Sequence, residues 1–373
     1  MMSLELVMTT EEKENKMLEN KRVLVVGTGT IGEPLIGLLC RLKDDFQIDE
    51  VMFHKRTPLL EDSTKVESLI KAGAKLVTDS DRVVDFNEMG FEVSYIWEDA
   101  LDRSKVVIDC TPAGLANKEQ FYKNYSDKLF VAQGSEKGFG TPYALGLTDK
   151  KVPVDGKGYL QVVSCNTHAI ARLLTAVTEN DARDIMDGDF TCIRRSNDVS
   201  QDKGFTPSTS VGKHGDASFG THHARDVNDL FGYPGKLPIF SSALKTNTQY
   251  MHAVRFNITL PEHVSREEVI KRFEKDEFVC TSYKTSANQI FSFGRDHGFY
   301  GRIYSQSVVS LPSVEVFHPA SYTTRVVGVA FTPQDGNSLM SSVAACLYGI
   351  HGKPAVGETS YLKKLKDMMV KNV

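Results

Sequence analysis

Lys21-Arg-Val-Leu-Val-Val-Gly27-Thr-Gly-Thr-Ile-Gly32, followed at once by Glu33-Pro-Leu-Ile-Gly-Leu-Leu-Cys-Arg-Leu42, is the stretch on which the fold turns. The short β-branched run over 21–26 reads as a parallel strand buried on both faces. The apolar spacing from Pro34 reads as a helix, with the proline in the first turn, where its missing N–H costs nothing. Between them, Gly27 makes the tight turn, Gly29 lets a diphosphate approach, and Gly32 lets helix and strand pack closely. Thr28, Thr30 and Ile31 complete the loop, and the helix N-terminus adds N–H donors and a positive dipole end. The pattern therefore predicts a dinucleotide site, against the competing reading of a purely structural turn.

Working outward, Glu50-Val-Met-Phe-His54, Lys105-Val-Val-Ile-Asp-Cys-Thr-Pro112 and Leu129-Phe-Val-Ala-Gln133 read as further strands separated by helical stretches. That alternation predicts a Rossmann-type, doubly wound parallel sheet. From about residue 185 the texture changes to longer, spaced strands at 189–194, 251–260, 305–310 and 325–332. Between them lies Ser265-Arg-Glu-Glu, a capping box that starts a helix. The fold expected is α/β: a parallel-sheet domain plus an α+β catalytic domain with a mostly antiparallel sheet. Residues 1–19 read as a polar leader, 20–164 as the dinucleotide domain joined by a C-terminal helix over 335–373, and 165–334 as the catalytic domain. The stretch 196–220 reads as a long surface loop.

The composition narrows the function. The 373 residues carry 44 − 48 = −4 formal charges, with 41% hydrophobic and 25% charged residues. That is too apolar for disorder and gives no reason to expect nucleic acid or an anionic membrane as partner. No apolar run reaches the roughly 18–20 residues of a spanning helix, and the N-terminus lacks the pattern of a secretion signal. Six cysteines without a CxxC pair form neither a disulfide framework nor a metal site, and a reducing cytoplasm is expected.

Two segments carry the chemistry. An NAD site usually has an acidic residue at the end of the second strand, but here His54-Lys55-Arg56-Thr57 follows it. Two cations and a hydroxyl suit a 2′-phosphate, so NADP is expected over NAD, with NAD still possible. A solvated basic pair is the competing reading. The second segment is Gln161-Val-Val-Ser-Cys165-Asn-Thr-His-Ala-Ile-Ala-Arg172, in which a strand feeds a cysteine at the start of a helix. A thiol there gains thiolate character from the dipole and becomes a nucleophile. Cys40, Cys110, Cys192, Cys280 and Cys346 lie inside strand or helix patterns and read as apolar filler.

Taken together, GTGTIG (27–32), DCTPAG (109–114), QGSEK (133–137) and SCNT (164–167) resemble the archaeal-type (type II) glyceraldehyde-3-phosphate dehydrogenases. The order continues with Ile193-Arg-Arg-Ser-Asn-Asp198, Thr221-His-His-Ala-Arg-Asp-Val227, Tyr250-Met-His252 and Asn257-Ile-Thr-Leu260, so the resemblance covers about 20–350. It implies Cys165 as nucleophile and His252 as the catalytic histidine that takes up the hydroxyl proton. Arg194, Arg195, His222 and His223 would form the phosphate neighbourhood, with Ser164, Asn166 and Thr167 around the nucleophile. Thr111, Gly134 and Lys55/Arg56 would contact the cofactor, and Asn337 its nicotinamide amide. A homotetramer is implied as well.

The chain departs from the pattern at His168, where a threonine is usual, at Tyr250, and in the polar 196–220 loop with His214. The activity implied is reversible, phosphorylating oxidation of glyceraldehyde 3-phosphate to 1,3-bisphosphoglycerate. It would run through a cysteine thiohemiacetal and thioester, with inorganic phosphate as co-substrate and hydride transfer to NAD(P). Two alternatives stand beside it. A semialdehyde dehydrogenase or acyl-CoA reductase would use the same Cys/His chemistry without the cationic phosphate cluster. A regulatory dinucleotide-binding protein would need neither Cys165 nor His252.

Overall fold

β1 (Arg22–Val26) runs between β2 (Glu50–His54) and β5 (Val106–Asp109), parallel to both. Its unbroken apolar run has a direct cause. Val23 and Val25 face one cluster, with the helices Gly32–Arg41 and Gly336–His351. Leu24 and Val26 face the other, with Trp97, Tyr122 and Phe130. The computed structural model describes residues 20–134, 136–179, 181–198, 201, 204–333, 335–357 and 360–373. The polar leader, Ser135 of the QGSEK run, and residues 199, 200, 202 and 203 of the long loop lie outside them.

The first sheet adds β3 (Lys75–Thr78), β4 (Tyr95–Ile96), β6 (Leu129–Gln133), β7 (Thr141–Tyr143) and β8 (Gly158–Val162). The order is β4-β3-β2-β1-β5-β6-β8-β7, and every pairing is parallel. The chain leaves β1 for one side and returns at β5 on the other. The glycine turn after β1 thus sits at the switch point, where the carboxyl ends of an open parallel sheet leave a crevice.

The second sheet comprises β9 (Asp187–Arg194), β10 (Ser210–Val211), β11 (Ile239–Lys245), β12 (Ala253–Leu260), β13 (Val279–Ser282), β14 (Ser307–Ser310), β15 (Glu315–Ala320) and β16 (Thr323–Phe331). Its order is β10-β11-β9-β12-β16-β14-β13, with β15 on β16. Most pairs are antiparallel, while β9/β11 and β13/β14 are parallel. Val254, Phe256, Ile258 and Leu260 of β12 alternate inward to meet Ile170, Leu173, Leu174 and Val177 of the helix Cys165–Val177. That period-two burial is the mark of a half-covered strand.

The helix starts where Ser265 predicts, Ser265 Oγ accepting the Glu268 N–H at 3.1 Å ahead of the helix Arg266–Lys275. Two boundaries differ from the sequence reading. β12 starts at Ala253, so His252 stands just outside the ladder, although its carbonyl still accepts the Thr332 N–H at 2.9 Å. The C-terminal segment divides between the sheets. Val343, Leu347 and Ile350 pack in the core of the first, but Asn372 pairs with Thr281 of β13 and the Val373 N–H donates to the Thr281 carbonyl. No helix among the described residues is long and apolar enough to cross a membrane.

Candidate functional site

The ends of β1, β2, β3 and β5 open into a cleft of about 650 Å³, lined by Gly27, Thr28, His54, Lys55, Arg56, Asp79, Trp97 and Thr111 among others. Gly27 takes φ +91°, and a Cβ at Gly32 would stand 2.0 Å from the Gly27 carbonyl oxygen, so both positions require glycine. A Cβ at Gly29 would meet nothing within 4 Å, which leaves that backbone open to a ligand. Ile31 packs partly against the core, and the Thr30 carbonyl accepts Arg302 Nη2 at 3.2 Å, tying the turn to the second half of the chain.

Thr111 is oriented by Asp109, a buried carboxylate that sequence reading had treated only as part of a motif. Asp109 accepts the Thr111 N–H (2.9 Å) and hydroxyl (2.6 Å), Asn117 Nδ2 (2.7 Å) and the Tyr122 hydroxyl (2.8 Å). Four donors satisfy the carboxylate and lock the turn after β5. Gly134, at φ +56°, donates to the Val162 carbonyl and accepts from Gln161 Nε2 at 2.8 Å. It borders a smaller pocket with Ser164 and the Lys137–Asp226 ion pair.

The basic pair separates into two roles. Lys55 is 11% exposed, with Nζ 2.6 Å from Asp62, which also holds Lys65. Arg56 is 81% exposed and lies 3.6 Å from Asp79. Asp79 also accepts or shares a proton with His54 Nε2 at 3.0 Å. That hydrogen bond, helped by Arg56 and Arg82, holds the Asp79 carboxyl below the usual carboxylate range. Sequence reading missed Asp79 because it looked for an acid after β2. This one follows β3, whose Val77 lies opposite His54. Trp97, only 5% exposed, lines the cleft wall, and its indole N–H is buried without a hydrogen-bond partner among the described residues. The open glycine backbone and the room fit the adenosine and diphosphate parts of a dinucleotide.

The thiol lies on the other side of Gly134. Ser164 caps the helix, its Oγ accepting the Thr167 N–H at 3.3 Å and lying 2.9 Å from Thr167 Oγ1, which places Cys165 in the first turn. The helix start alone does not make a thiolate. Burial pushes the Cys165 thiol up to about 12, the Asp335 carboxylate adds to the rise, and Arg195 and the Asn166 N–H oppose it. Desolvation is the largest of these influences and disfavours the charged thiolate in the ligand-free site. Asp335, another residue not foreseen, sits in the left-handed region at φ 56° ahead of the helix Gly336–His351. It is buried, with Oδ2 3.7 Å from Arg195 Nη2, and burial raises its own carboxyl.

His252 is fixed by an unexpected donor. Its Nδ1 accepts the Arg195 backbone N–H at 3.0 Å, so the neutral ring carries its proton on Nε2. Burial, with Arg195 and Arg194 nearby, holds its pKa down to about 3. In that tautomer Nδ1 accepts and Nε2 is left to donate.

The two arginines alternate as a strand end requires. Arg195 is buried, pairing with Asp198 and donating to the Tyr250 carbonyl at 3.4 Å. Arg194 is exposed, near His222, His223 and His252, and makes no ion pair among the described residues. His222 is exposed and stacks on His223 at 4.0 Å. His223 is buried, held down to about 3 by burial and the adjacent cations, with Nδ1 3.0 Å from Thr221 Oγ1 and Nε2 3.4 Å from Asn166 Nδ2. Asn166 Oδ1 accepts the Thr332 hydroxyl at 3.1 Å.

Asn337 departs from its expected role. It is fully buried, and its amide donates to the Cys165 carbonyl at 2.9 Å and the Gln306 carbonyl at 3.3 Å. It tethers the Cys165 backbone. His168 bridges Ser164 O (3.0 Å) and Ser341 Oγ (2.8 Å), and burial holds its pKa down to about 4, so it ties two helices together as a neutral ring. Tyr250 packs on Phe291. No group of three or more His, Cys, Asp or Glu among the described residues could hold a metal ion.

No protein-family model matches the chain. It is, however, similar to curated archaeal proteins named glyceraldehyde-3-phosphate dehydrogenase. With that of Pyrobaculum calidifontis it shares 31% identity over 283 residues, covering 74% of this chain and 78% of that protein. With that of Sulfolobus acidocaldarius it shares 27% over 341 residues, 90% and 88% of the two chains. With that of Methanocaldococcus jannaschii it shares 27% over 316 residues, 82% and 88%. The aligned share takes in most of both chains, and with it the chain belongs to the glyceraldehyde-3-phosphate dehydrogenase family.

Proposed function

We propose that the chain is an NAD(P)-dependent aldehyde oxidoreductase that oxidises glyceraldehyde 3-phosphate to the acyl phosphate through Cys165. The observation that carries this reading is the grouping of the Cys165 helix start, the Nε2–H of His252 and the unpaired Arg194 beside His222 and His223. The glycine turn 27–32, Thr111 and the Arg56/Asp79 wall would hold the dinucleotide. When bound, the oxidised nicotinamide supplies a hydride acceptor and a positive charge that favours the thiolate.

The chain's own groups account for the other steps. Cys165, its proton released to water, attacks the aldehyde carbon, forming a C–S bond while the carbonyl pair moves to oxygen. The Cys165 backbone N–H, which has no intrahelical partner in the first turn, and His252 Nε2–H donate to that oxyanion. Because the thiolate adds directly, the oxyanion rather than a hydroxyl is oxidised to the thioester, and His252 need not take up a proton. A phosphate oxygen then attacks the thioester carbon, the same donors receive the second oxyanion, and the C–S bond breaks to return the thiolate. The proton of hydrogen phosphate leaves to solvent. Arg194 and His222 supply the cationic and N–H contacts for phosphate. An unphosphorylated semialdehyde or a thioester of coenzyme A would not need that pair.

Purified protein incubated with glyceraldehyde 3-phosphate, inorganic phosphate and NADP⁺ or NAD⁺ tests the reading. Phosphate-dependent cofactor reduction that vanishes in Cys165→Ser is expected. Turnover only with an unphosphorylated aldehyde or an acyl-CoA would overturn it in favour of those substrates.

A further inference from the structure

We infer that Asp79, acting against Arg56, is the residue that sets the preference at the ribose 2′ position, so that the cleft accepts NAD and resists the phosphorylated cofactor. The inference rests on the dinucleotide reading of the cleft and names a determinant within it.

Three observations converge. First, the carboxylate is fixed. The Lys55 N–H donates to the Val77 carbonyl and Thr78 Oγ1 to the Lys55 carbonyl, so the ends of β2 and β3 are joined just before Asp79. His54 Nε2 holds Asp79 Oδ1 at 3.0 Å, and the His54 ring itself rests on Trp97 at 4.7 Å. Second, Lys55 is withdrawn from the ligand by Asp62 at 2.6 Å. Third, Arg56 is the exchangeable cation. It is 81% exposed, and its one ion-pair partner among the described residues is Asp79 at 3.6 Å.

A ligand thus meets one fixed carboxylate and one movable guanidinium, with Arg82 acting on Asp79 and Glu98 also lining the cleft. Free ribose hydroxyls donate to Asp79 without disturbing the pair. A 2′-phosphate brings a further charge of roughly −1.5 to −2 beside that carboxylate and requires Arg56 to turn away from it. The sequence reading favoured NADP from two cations and the Thr57 hydroxyl, without Asp79 in view.

The test needs no turnover, because Trp97 is the only tryptophan of the chain and lines the cleft. Tryptophan fluorescence is titrated with adenosine 5′-monophosphate and with adenosine 2′,5′-bisphosphate, for wild type, Asp79→Asn, Asp79→Ser and Arg56→Gln. The ratio of bisphosphate to monophosphate affinity is expected to rise about tenfold in both Asp79 variants and to fall about tenfold in Arg56→Gln. The paired Asp79 variants guard against one of them failing to fold. A ratio within about twofold of wild type in a folded Asp79 variant overturns the inference alone. No response of wild type to either nucleotide overturns the cleft reading, and the inference with it.

Discussion

Where β2 and β3 end at the cleft, the Arg56–Asp79 pair lies partly in water, with the guanidinium 81% exposed. Around Cys165 the opposite holds: burial pushes the thiol up and His223 and His252 down, so that these three groups rest in neutral forms beside the Arg195–Asp335 pair. Surface ion pairs contribute little to stability and exchange partners readily, which suits recognition of a charged ligand. Buried titratable groups cannot bear charge without a partner, so they become charged only when a ligand or intermediate compensates them. One region selects by charge, and the other withholds charge until the reaction needs it.

The largest expected effect separates the two regions outright. Cys165→Ser should lower turnover by about 10⁴-fold or more, while nucleotide titration by Trp97 fluorescence stays within error of wild type. Loss of nucleotide binding would show that the regions are one unit.

His252 sharpens the thiol side. His252→Ala should lower kcat by about 10²–10³-fold, and His252→Gln, which keeps an N–H donor, should recover about tenfold of that loss. Steady-state kinetics of the two variants decide the matter, since a proton acceptor would be no better replaced by Gln than by Ala.

Asp335→Asn removes the carboxylate that adds to the rise in the thiol's pKa. Alkylation of Cys165 at about pH 8 should become roughly threefold to tenfold faster. An unchanged rate would mean that burial alone keeps the thiol protonated.

The smallest effect is on stability. Burial disfavours the charged form of His168 and holds its pKa down to about 4 from the ordinary 6.5. Below about pH 6.5 the unfolded chain therefore binds a proton that the folded chain does not, and stability falls by about 1.4 kcal/mol per pH unit for this ring. The contribution is intact above pH 6.5 and is lost progressively down to pH 4. His223 and His252 act with the same sign. Denaturant unfolding of His168→Gln between about pH 6.5 and pH 5 should show a shallower pH slope by that one proton, even if its absolute stability is lower.

Much of this was legible in the chain itself. The 21–32 stretch foretold a buried strand, a tight turn and a close helix because each depends on neighbours in sequence. Ser265 foretold a helix start for the same reason. Alternation along β9 foretold that Arg194 and Arg195 could not both face a ligand, though not which would. What escaped depends on elements brought together from afar. Asp79 matters because β3 lies beside β2, and His54 is its partner only through that pairing. His168 finds Ser341, and Asn337 finds the Cys165 carbonyl, across more than 170 residues. The tautomer of His252 is set by a backbone N–H of another strand end, which no side-chain motif encodes. The helix start at Cys165 is visible in sequence, whereas the desolvation that raises its thiol is not.

The most direct measurement is the pH dependence of Cys165 alkylation by iodoacetamide in the nucleotide-free protein, followed on its own peptide by mass spectrometry. With the thiol pushed up to about 12, the rate should climb about tenfold per pH unit from about pH 7 to pH 10 without a plateau. A plateau with its midpoint at or below about pH 8 would show a thiolate already stabilised in the free chain, and would contradict the account of a site that holds its reactive groups neutral.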